Sequence, residues 1–489
     1  MQKQTRSIML FRRDLRLYDN QALSEAAKHT AMLPVFIQDT DKHTWSMGGA
    51  SQWYLHHSLA CLQEQLADEE TTLTFFQASQ KRNTLNILLA LCEDNQCYDI
   101  YWNRRYEPHH IQQDIELKKS LSTHGITVHS FNNNLLSEPW QQFNKQGNPF
   151  KVFTPYWKHC TQRFHHDLIP PEPLPKPKLP SPSKWSVLDS VDLEDLCLLP
   201  SNPDWSIQIA ETWTAGEHTA QHQWSSFQES AIHRYDDSRN IPSVSGTSLL
   251  SPHLAFGEIS VRQIWHEAQQ MRMQNDTTDI DRYLSEIGWR EFSYYQLYHF
   301  PELPHQNFNA RFNHFRWETN NRHLTAWQKG QTGYPLVDAG MRELWQTGYM
   351  HNRVRMIVAS FLCKDLLIHW QEGAKWFWDT LLDADLASNS ASWQWCAGCG
   401  ADAAPFFRIF NPVLQSEKFD AQGHYIRQWV PELSKLPNKY IHKPWEAPSE
   451  ILREADVSIN ITYPAPMVDH KIARINALDR YKDLKTLEE

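Results

Sequence analysis

The fold of the first part of the chain is indicated by the stretch Ser7-Ile-Met-Leu-Phe11, a short and continuous apolar run. Runs of this length and composition are typical of strands buried on both faces of a sheet. Helical patterns, such as residues 52–67 and 85–93, alternate with further runs of the same kind. The alternation predicts an α/β domain with a doubly wound parallel sheet. Its predicted strands are residues 7–11, 31–37, 71–76, 98–102 and 126–130.

A proline-rich segment marks a boundary, because residues 170–203 hold nine of the 27 prolines in the chain. Such a segment is typical of an extended linker. From residue 204 onward, apolar residues recur at helical spacing and strand patterns are nearly absent. We therefore predict an α/β domain over 1–132, a linker over 133–205 and an all-α domain over 206–489. The clearest helical patterns are residues 251–270, 280–299, 334–347 and 352–369.

The composition limits the class of protein. The polar start lacks the apolar core of a signal peptide, and no apolar run approaches the roughly 18 residues of a membrane span. Eight cysteines in 489 residues do not suggest a disulfide framework, so we expect a reducing cytosol. The net charge of −10 argues mildly against nucleic-acid binding but permits a local basic cleft. The 21 tryptophans suggest stacking surfaces or a redox role, or bulky core packing.

Two stretches have residues suited to binding. Thr247 and Ser248 follow Gly246 before a helical pattern, which predicts an N-cap and an anion site, or a capped helix without a ligand. Glu286 and Trp289 share a helix face, where a carboxylate beside an indole suits a stacked, hydrogen-bonding heterocycle. The alternative is a surface ion pair beside a core tryptophan.

Two further stretches carry unusual side chains. Asn352 and Met356 share a helix face, with Arg353 and Arg355 expected to point elsewhere. An amide and a thioether suit an uncharged, partly apolar ring, although a buried amide beside a core methionine has the same spacing. The segment 382–395 combines two aspartates, an asparagine and two indoles.

The aspartates of this segment are expected to pair with Arg355 or to receive hydrogen bonds from a ring edge. A metal site is disfavoured because no matching His/Glu cluster accompanies them. Trp393 and Trp395 are two positions apart and would face opposite ways in extended backbone. Cys396 and Cys399 are predicted to be two buried thiols rather than a zinc or redox site.

Taken in order, these motifs resemble those of the photolyase/cryptochrome family, and the resemblance covers nearly the whole chain. The matching segments are residues 11–17, 246–248, 289–292, 332–339, 350–353, 383–386, 403–412 and 426–429.

The resemblance implies an α/β antenna domain and an all-α C-terminal domain that binds FAD. Asn389 would face flavin N5, where an amide suits the fully reduced cofactor; plant cryptochromes have aspartate at the matching place. The residues implied in FAD binding are Tyr235, Thr247, Ser248, Leu249, Leu250, Ser251, Arg290, Arg355, Asp383, Ala384, Asp385 and Asn389.

The resemblance also implies light-driven repair of cyclobutane pyrimidine dimers by electron transfer from excited, reduced FAD to a flipped-out dimer. Photolyases of the (6-4) type have histidines where this chain has Asn352 and Met356. The implied catalytic residues are Glu286, Trp289, Asn352, Met356, Trp395 and Asn389. The implied electron-transfer residues are Trp393, Trp370 and Trp317. The implied DNA contacts are Arg239, Glu286, Trp289, Asn352, Arg353, Arg408 and Gln415.

Within the family, residues 340–345, 375–383 and 436–445 look like plant cryptochromes, as in the bacterial class III photolyases. The resemblance implies 5,10-methenyltetrahydrofolate as antenna, although Pro108, His109 and His110 depart from a known folate pattern after Tyr106-Glu107. A deazaflavin or no antenna are the alternatives. We expect a monomer that binds damaged DNA in the bacterial cytosol, with the nucleoid, and no membrane. The alternative functions are a signalling blue-light cryptochrome or a (6-4) photolyase.

Overall fold

A computed structural model describes residues 5–39, 45–132, 134–201, 204–273, 278–403 and 407–486. Parts of the predicted linker (residues 133, 202 and 203) and of the motif 403–412 (residues 404–406) lie outside the described residues. The chain forms two compact units: residues 1–230 with 248–301, and residues 231–247 with 302–489.

The elements of the first unit and of the start of the second are β1 (Arg6–Phe11), α1 (Gln21–Ala26), β2 (Ala31–Gln38), α2 (Gly49–Asp68), β3 (Thr74–Gln77), α3 (Thr84–Asn95), β4 (Asp99–Asn103), α4 (Pro108–Thr123), β5 (Thr127–Phe131), α5 (Phe153–Phe164), α6 (Ile207–Thr212), α7 (Glu217–Glu229), α8 (Tyr235–Ser238), α9 (Ser251–Phe256), α10 (Val261–Arg272) and α11 (Thr278–His299). The remaining helices belong to the second unit: α12 (Asn321–Gln328), α13 (Pro335–Thr347), α14 (Asn352–Ser360), α15 (Trp370–Thr380), α16 (Leu386–Ala397), α17 (Pro412–Phe419), α18 (His424–Trp429), α19 (Asn438–Ile441), α20 (Ser449–Glu454) and α21 (His470–Thr486).

The sheet of the first unit is parallel throughout, with the strand order β3-β2-β1-β4-β5. Its strands contribute side chains such as Ile8, Val35 and Trp102 to a buried core shared with α3 and α4. The chain winds outward from β1 in both directions, so the direction of winding changes between β1 and β4. The prediction of a doubly wound parallel sheet is confirmed, with each strand within three residues of its predicted start.

Helices α9 to α11 belong to the first unit, and buried polar contacts join α9 and α10 to its earlier part. The Arg262 side chain on α10 donates to Oδ1 of Asp19 at 2.6 Å, and Asp19 is fully buried. The hydroxyl of Tyr54 on α2 donates to Glu258 at 2.9 Å, just after α9. These contacts fix the later helices to the segment that follows β1 and to α2.

Two predicted helices are interrupted. The pattern over 251–270 forms two helices, because Gly257 ends α9 in the left-handed region (φ +68°) and Ser260 caps α10 by accepting from Arg262 N–H. The pattern over 352–369 leaves α-helical geometry after Ser360, passes through a wider π-helical turn at 361–365, and ends at His369, the N-cap of α15. Periodicity alone does not show these breaks, because the apolar spacing continues across them.

The second unit is helical, as predicted; the described residues contain no named strand outside the sheet of the first unit. None of the described helices is long and apolar enough to cross a membrane.

Candidate functional site

Helix α14 presents Asn352 and Met356 one turn apart. Asn352 is exposed and Met356 is half-buried, so the alternative of a buried amide with a core methionine is wrong. Arg353 does not point away from Met356: its Nη1 lies 3.6 Å from Met356 Sδ, because residues three apart also share a helix face. The Arg353 guanidinium also donates to Asn240 Oδ1 at 2.6 Å. The face therefore combines an amide, a thioether and a fixed cation.

Arg355 and Asp383 form the ion pair that the sequence suggested. The two nitrogens Nη1 and Nη2 of Arg355 lie 3.1 and 2.8 Å from the two carboxylate oxygens of Asp383. The third donor of Arg355, Nε, donates to the carbonyl of Met350 at 2.7 Å. This two-pronged geometry fixes the Asp383 carboxylate at the start of the segment that leads into α16.

The start of α16 orients two more predicted residues. Asp385 is the N-cap and accepts from Ser388 N–H at 2.7 Å. One turn later, Nδ2 of Asn389 donates to the carbonyl of Ala374 at 3.0 Å. That bond uses the amide nitrogen, so Asn389 has its carbonyl oxygen left as an acceptor. Ala384 is buried between the two aspartates.

The segment before residue 248 is held within the second unit. Tyr235 is buried, and the guanidinium of Arg239 lies 5.3 Å from its ring centre. Gly246 packs directly on Ser238, where a Cβ would lie 2.7 Å from the Ser238 Cβ. Thr247 hydrogen-bonds the side chain of Tyr349, whose pKa is raised to about 12 by burial.

Residues 248–251 continue in the first unit and correct one expectation. The N-cap of α9 is Leu250, without a side-chain capping bond, rather than Thr247 or Ser248. Ser248 instead lies near Tyr283, whose hydroxyl donates to it at 3.4 Å. Leu249 has φ +53°, a left-handed conformation that costs energy in a residue other than glycine. Ser251 is exposed at the first position of α9.

Glu286 and Trp289 are both half-buried on α11. Phe153 covers one face of Trp289, with ring centres 3.8 Å apart and planes within 11°. Arg290 donates from both terminal nitrogens to Asn134, at 2.8 Å each, so its guanidinium already has protein partners. Glu291, which the sequence analysis missed, accepts from Leu136 N–H, and burial raises the pKa of its carboxyl to about 7.

The predicted electron-transfer residues differ in burial. Trp393 and Trp370 are buried, whereas Trp317 and Trp395, the latter predicted to stack on the substrate, are half-buried. Trp393 and Trp395 lie on a helix, not in extended backbone, but a separation of two still directs them to different sides. Trp393 packs against Gly373, where a Cβ would lie 2.1 Å from the indole Cη2.

The other predicted residues lie at the surface or near it. Arg408 is exposed, and Gln415 is half-buried on α17. Cys396 is half-buried and Cys399 is buried, and both are free thiols. No group of metal-binding side chains occurs among the described residues.

The described residues of the first unit line two cavities of different size. The larger one, of about 320 Å³, is lined by the indoles of Trp157 and Trp265 together with Thr161, Gln162, His165, Gln269, Arg272, Asp281 and Leu284. The smaller one lies at the carboxyl ends of β1 and β4 and holds only about 20 Å³. It is small because Arg12 and Arg105 converge on Asp114, each at 2.6 Å.

Comparisons with known proteins agree with this geometry. Residues 7–178 match the family described as DNA photolyase, and residues 283–483 match the FAD binding domain of DNA photolyase. A deoxyribodipyrimidine photo-lyase of Agrobacterium fabrum is 47% identical over 98% of both chains. The chain belongs to the photolyase/cryptochrome family.

Within that family, the chain is similar to both a bacterial photolyase and a plant cryptochrome. A crystal structure of a bacterial class III photolyase from Agrobacterium tumefaciens has a TM-score of 0.93 and 46% identity, and the match covers 99% of both chains. Cryptochrome-2 of Arabidopsis thaliana is 37% identical over 97% of this chain and 78% of the plant protein. The cofactor of this photolyase/cryptochrome chain is FAD, as its second matched domain indicates. The fixed Asp383 carboxylate and the Asn389 acceptor fit a ring with hydrogen-bond donors at its edge.

Proposed function

We propose that this protein repairs cyclobutane pyrimidine dimers in DNA, using light and bound FAD. The face formed by Asn352 and Met356 carries the proposal. An exposed amide and a half-buried thioether suit a neutral, partly apolar pair of bases, and neither group titrates. Relatives named deoxyribodipyrimidine photo-lyase support the same activity.

FAD, when bound in its reduced form and excited by light, supplies the electron that splits the dimer and then takes it back. In the first unit, Glu286 would hydrogen-bond the dimer carbonyls and stabilise the added charge. Trp289 would stack on the dimer with the ring face that Phe153 does not cover. In the second unit, Trp395 would stack and Asn352 and Met356 would hold the base edges.

The roles in cofactor binding follow from the contacts within each unit. In the second unit, Arg355 holds Asp383 and the cap of α16 holds Asp385, so that Asp383, Ala384 and Asp385 would line the flavin and adenine edges. The side-chain carbonyl of Asn389 would accept from N5–H of reduced flavin, because its amide nitrogen is turned toward the carbonyl of Ala374, to which it donates. Tyr235 and Thr247, and residues 248–251 of the first unit, would hold the phosphates and ribose.

Backbone phosphates of DNA would bind cationic and polar side chains without reading sequence. We assign this role to Arg353, Arg408 and Gln415. Arg239 is the least accessible of the predicted DNA contacts, because it is 9% exposed and its guanidinium lies over the ring of Tyr235. We further propose that the protein acts as a monomer in the bacterial cytosol, with the nucleoid.

An antenna pterin such as 5,10-methenyltetrahydrofolate would fit the cavity with Trp157 and Trp265 better than the filled site at β1 and β4. Indoles bind flat conjugated rings, and the glutamine and threonine side chains can hydrogen-bond a pterin edge. Reconstitution with the folate tests this: Trp157→Ala should abolish energy transfer to flavin, and Arg105→Gln should not. If Arg105→Gln abolished energy transfer and Trp157→Ala did not, the antenna site would be the one at the carboxyl ends of β1 and β4.

The repair activity is tested by illuminating purified, chemically reduced protein with dimer-containing oligonucleotides and measuring restored thymines. Glu286→Ala should lower the repair yield by about tenfold or more, with a smaller effect on DNA affinity. Glu286→Gln keeps the hydrogen-bonding shape and is the matched control. If dimers persist while the flavin completes its photocycle, the protein is a signalling cryptochrome instead.

A further inference from the structure

An imidazole lies between two of the predicted electron-transfer residues. The ring centre of His369 is 5.1 Å from that of Trp317, edge to face, and 5.6 Å from that of Trp370, with planes 30° apart. The backbone holds this arrangement, because Glu318 N–H donates to the carbonyl of Leu367 at 2.7 Å. His369 is therefore the ring that both indoles share.

The hydrogen bonds of His369 set its tautomer. As N-cap of α15 it accepts from Gln371 N–H on Nδ1, at 3.2 Å. A neutral imidazole that accepts on Nδ1 carries its proton on Nε2. Its one lone pair, on Nδ1, is engaged by Gln371 N–H, so the ring does not take a proton from an indole while this bond is intact. His369 is thus a neutral spacer until a lower pH protonates Nδ1 and breaks the capping bond.

We propose that neutral His369 is a positioning residue for electron transfer through Trp370 and Trp317, and that its protonation keeps the positive charge off both indoles. The inference rests on the proposed function and on the electron-transfer role that the family resemblance implies for Trp393, Trp370 and Trp317. The sequence motifs that carry the family resemblance do not include His369.

The step is a pure electron transfer. Bound oxidised FAD would supply an electron acceptor when it is excited by light. Trp393 would give up one electron, Trp370 would then reduce Trp393, and Trp317 would reduce Trp370. The radical cation left on Trp317 would be reduced by a thiol in solution, which becomes a thiyl radical and releases its proton to water. Within the protein no bond forms or breaks and no proton moves. Trp370 N–H donates to the uncharged Asn307 Oδ1 at 2.9 Å, while among the described residues the Trp317 N–H has no acceptor.

A charge on His369 would act on both indoles almost equally, because the two ring distances are similar. At an effective dielectric of about 20, a unit charge about 5 Å away changes the population of a nearby cation by about a hundredfold. The hole would then stay on Trp393 and return to the cofactor. Screening at this half-buried position reduces the effect, so we expect about tenfold or more.

The surroundings favour the neutral ring. Burial lowers the pKa of His369 below its ordinary 6.5. The charged groups that face it are Glu372 and Lys375, both on α15, and they are paired with each other at 3.2 Å. Glu318, beside the backbone contact, is paired with Arg480.

Flash photolysis of the oxidised holoprotein between pH 5 and 8 tests the proposal through the absorbance of long-lived tryptophan radicals. The wild-type yield should fall as pH drops through the His369 pKa, which burial lowers below 6.5, and by about tenfold or more once the ring is charged. His369→Phe keeps a ring without a titrating group and should retain a high yield at every pH. His369→Asn keeps the cap without the ring and should give a low yield at every pH.

Two further measurements separate causes. The wild-type minus His369→Phe difference in histidine NMR spectra gives the His369 pKa, which must match the midpoint of the radical yield. Trp317→Phe must abolish the long-lived radical; a full yield would overturn both the chain and this inference. Dimer repair by chemically reduced His369→Phe should equal that of the wild type, because repair does not use this tryptophan chain. Absence of repair in both proteins would contradict the proposed function and not the role of His369. A wild-type pH profile in either His369 variant would overturn the inference.

Discussion

Gly373 is a position in the second unit where even one added methyl group should be strongly destabilising. It lies inside α15, where alanine normally stabilises a helix by about 1 kcal/mol relative to glycine. Here the added Cβ would lie 2.1 Å from Cη2 and 2.4 Å from Cζ3 of Trp393, and 2.7 Å from a methyl of Leu362. Ordinary carbon contacts are about 3.5 to 4.0 Å, so the buried indole must move by more than an ångström.

Overpacking of this kind costs about 3 kcal/mol at the upper end of its usual range. The helix propensity of alanine offsets part of that cost, so Gly373→Ala should lower the free energy of unfolding by about 2 kcal/mol. Urea unfolding followed by far-ultraviolet circular dichroism measures the change. The displaced Trp393 should also lower the yield of flavin photoreduction.

The Trp393→Phe background gives the control, because phenylalanine lacks the distal indole atoms that the new methyl meets. In that background Gly373→Ala should be neutral or stabilising, which gives a coupling energy of about 2 kcal/mol. Equal effects of Gly373→Ala in both backgrounds would refute the packing argument.

Three further outcomes are expected. Burial raises the pKa of Glu343 to about 7, so the folded protein favours the neutral carboxyl group. The free energy of unfolding should therefore fall by up to about 3 kcal/mol as pH rises from 4.5 through 7. Urea titrations at several pH values measure this slope, which Glu343→Gln should remove. Arg355→Met leaves the buried Asp383 carboxylate without its ion-pair partner, so it should lower the free energy of unfolding by about 3 kcal/mol and accelerate loss of FAD. Adding Asp383→Asn to this variant should restore part of the stability. Arg408→Gln should reduce the salt slope of DNA binding by about one unit, measured by fluorescence anisotropy; an unchanged slope would exclude a phosphate contact.

The sheet was predictable because each strand is a local apolar run, visible without knowledge of its neighbours. The pair Arg355–Asp383 was suggested by composition, but its two-pronged geometry depends on α14 and on the start of α16 together. The stack of Phe153 on Trp289 joins helices far apart in sequence, and no local pattern indicates it. His369 gave no signal at all, because a lone histidine before a helix has an ordinary capping role.

The first unit is interrupted in sequence by residues 231–247, and this has a consequence for truncated forms of the protein. Residues 1–230 include the whole sheet, but fully buried Asp19 depends on Arg262, which lies after the interruption. A protein ending at residue 230 would lose the Arg262 ion pair and the Ser260 hydrogen bond of Asp19, which should destabilise the sheet, although Leu174 N–H and Arg16 would remain beside that carboxylate. A fragment meant to carry the folded sheet on its own must therefore include residues 248–301 as well as 1–230.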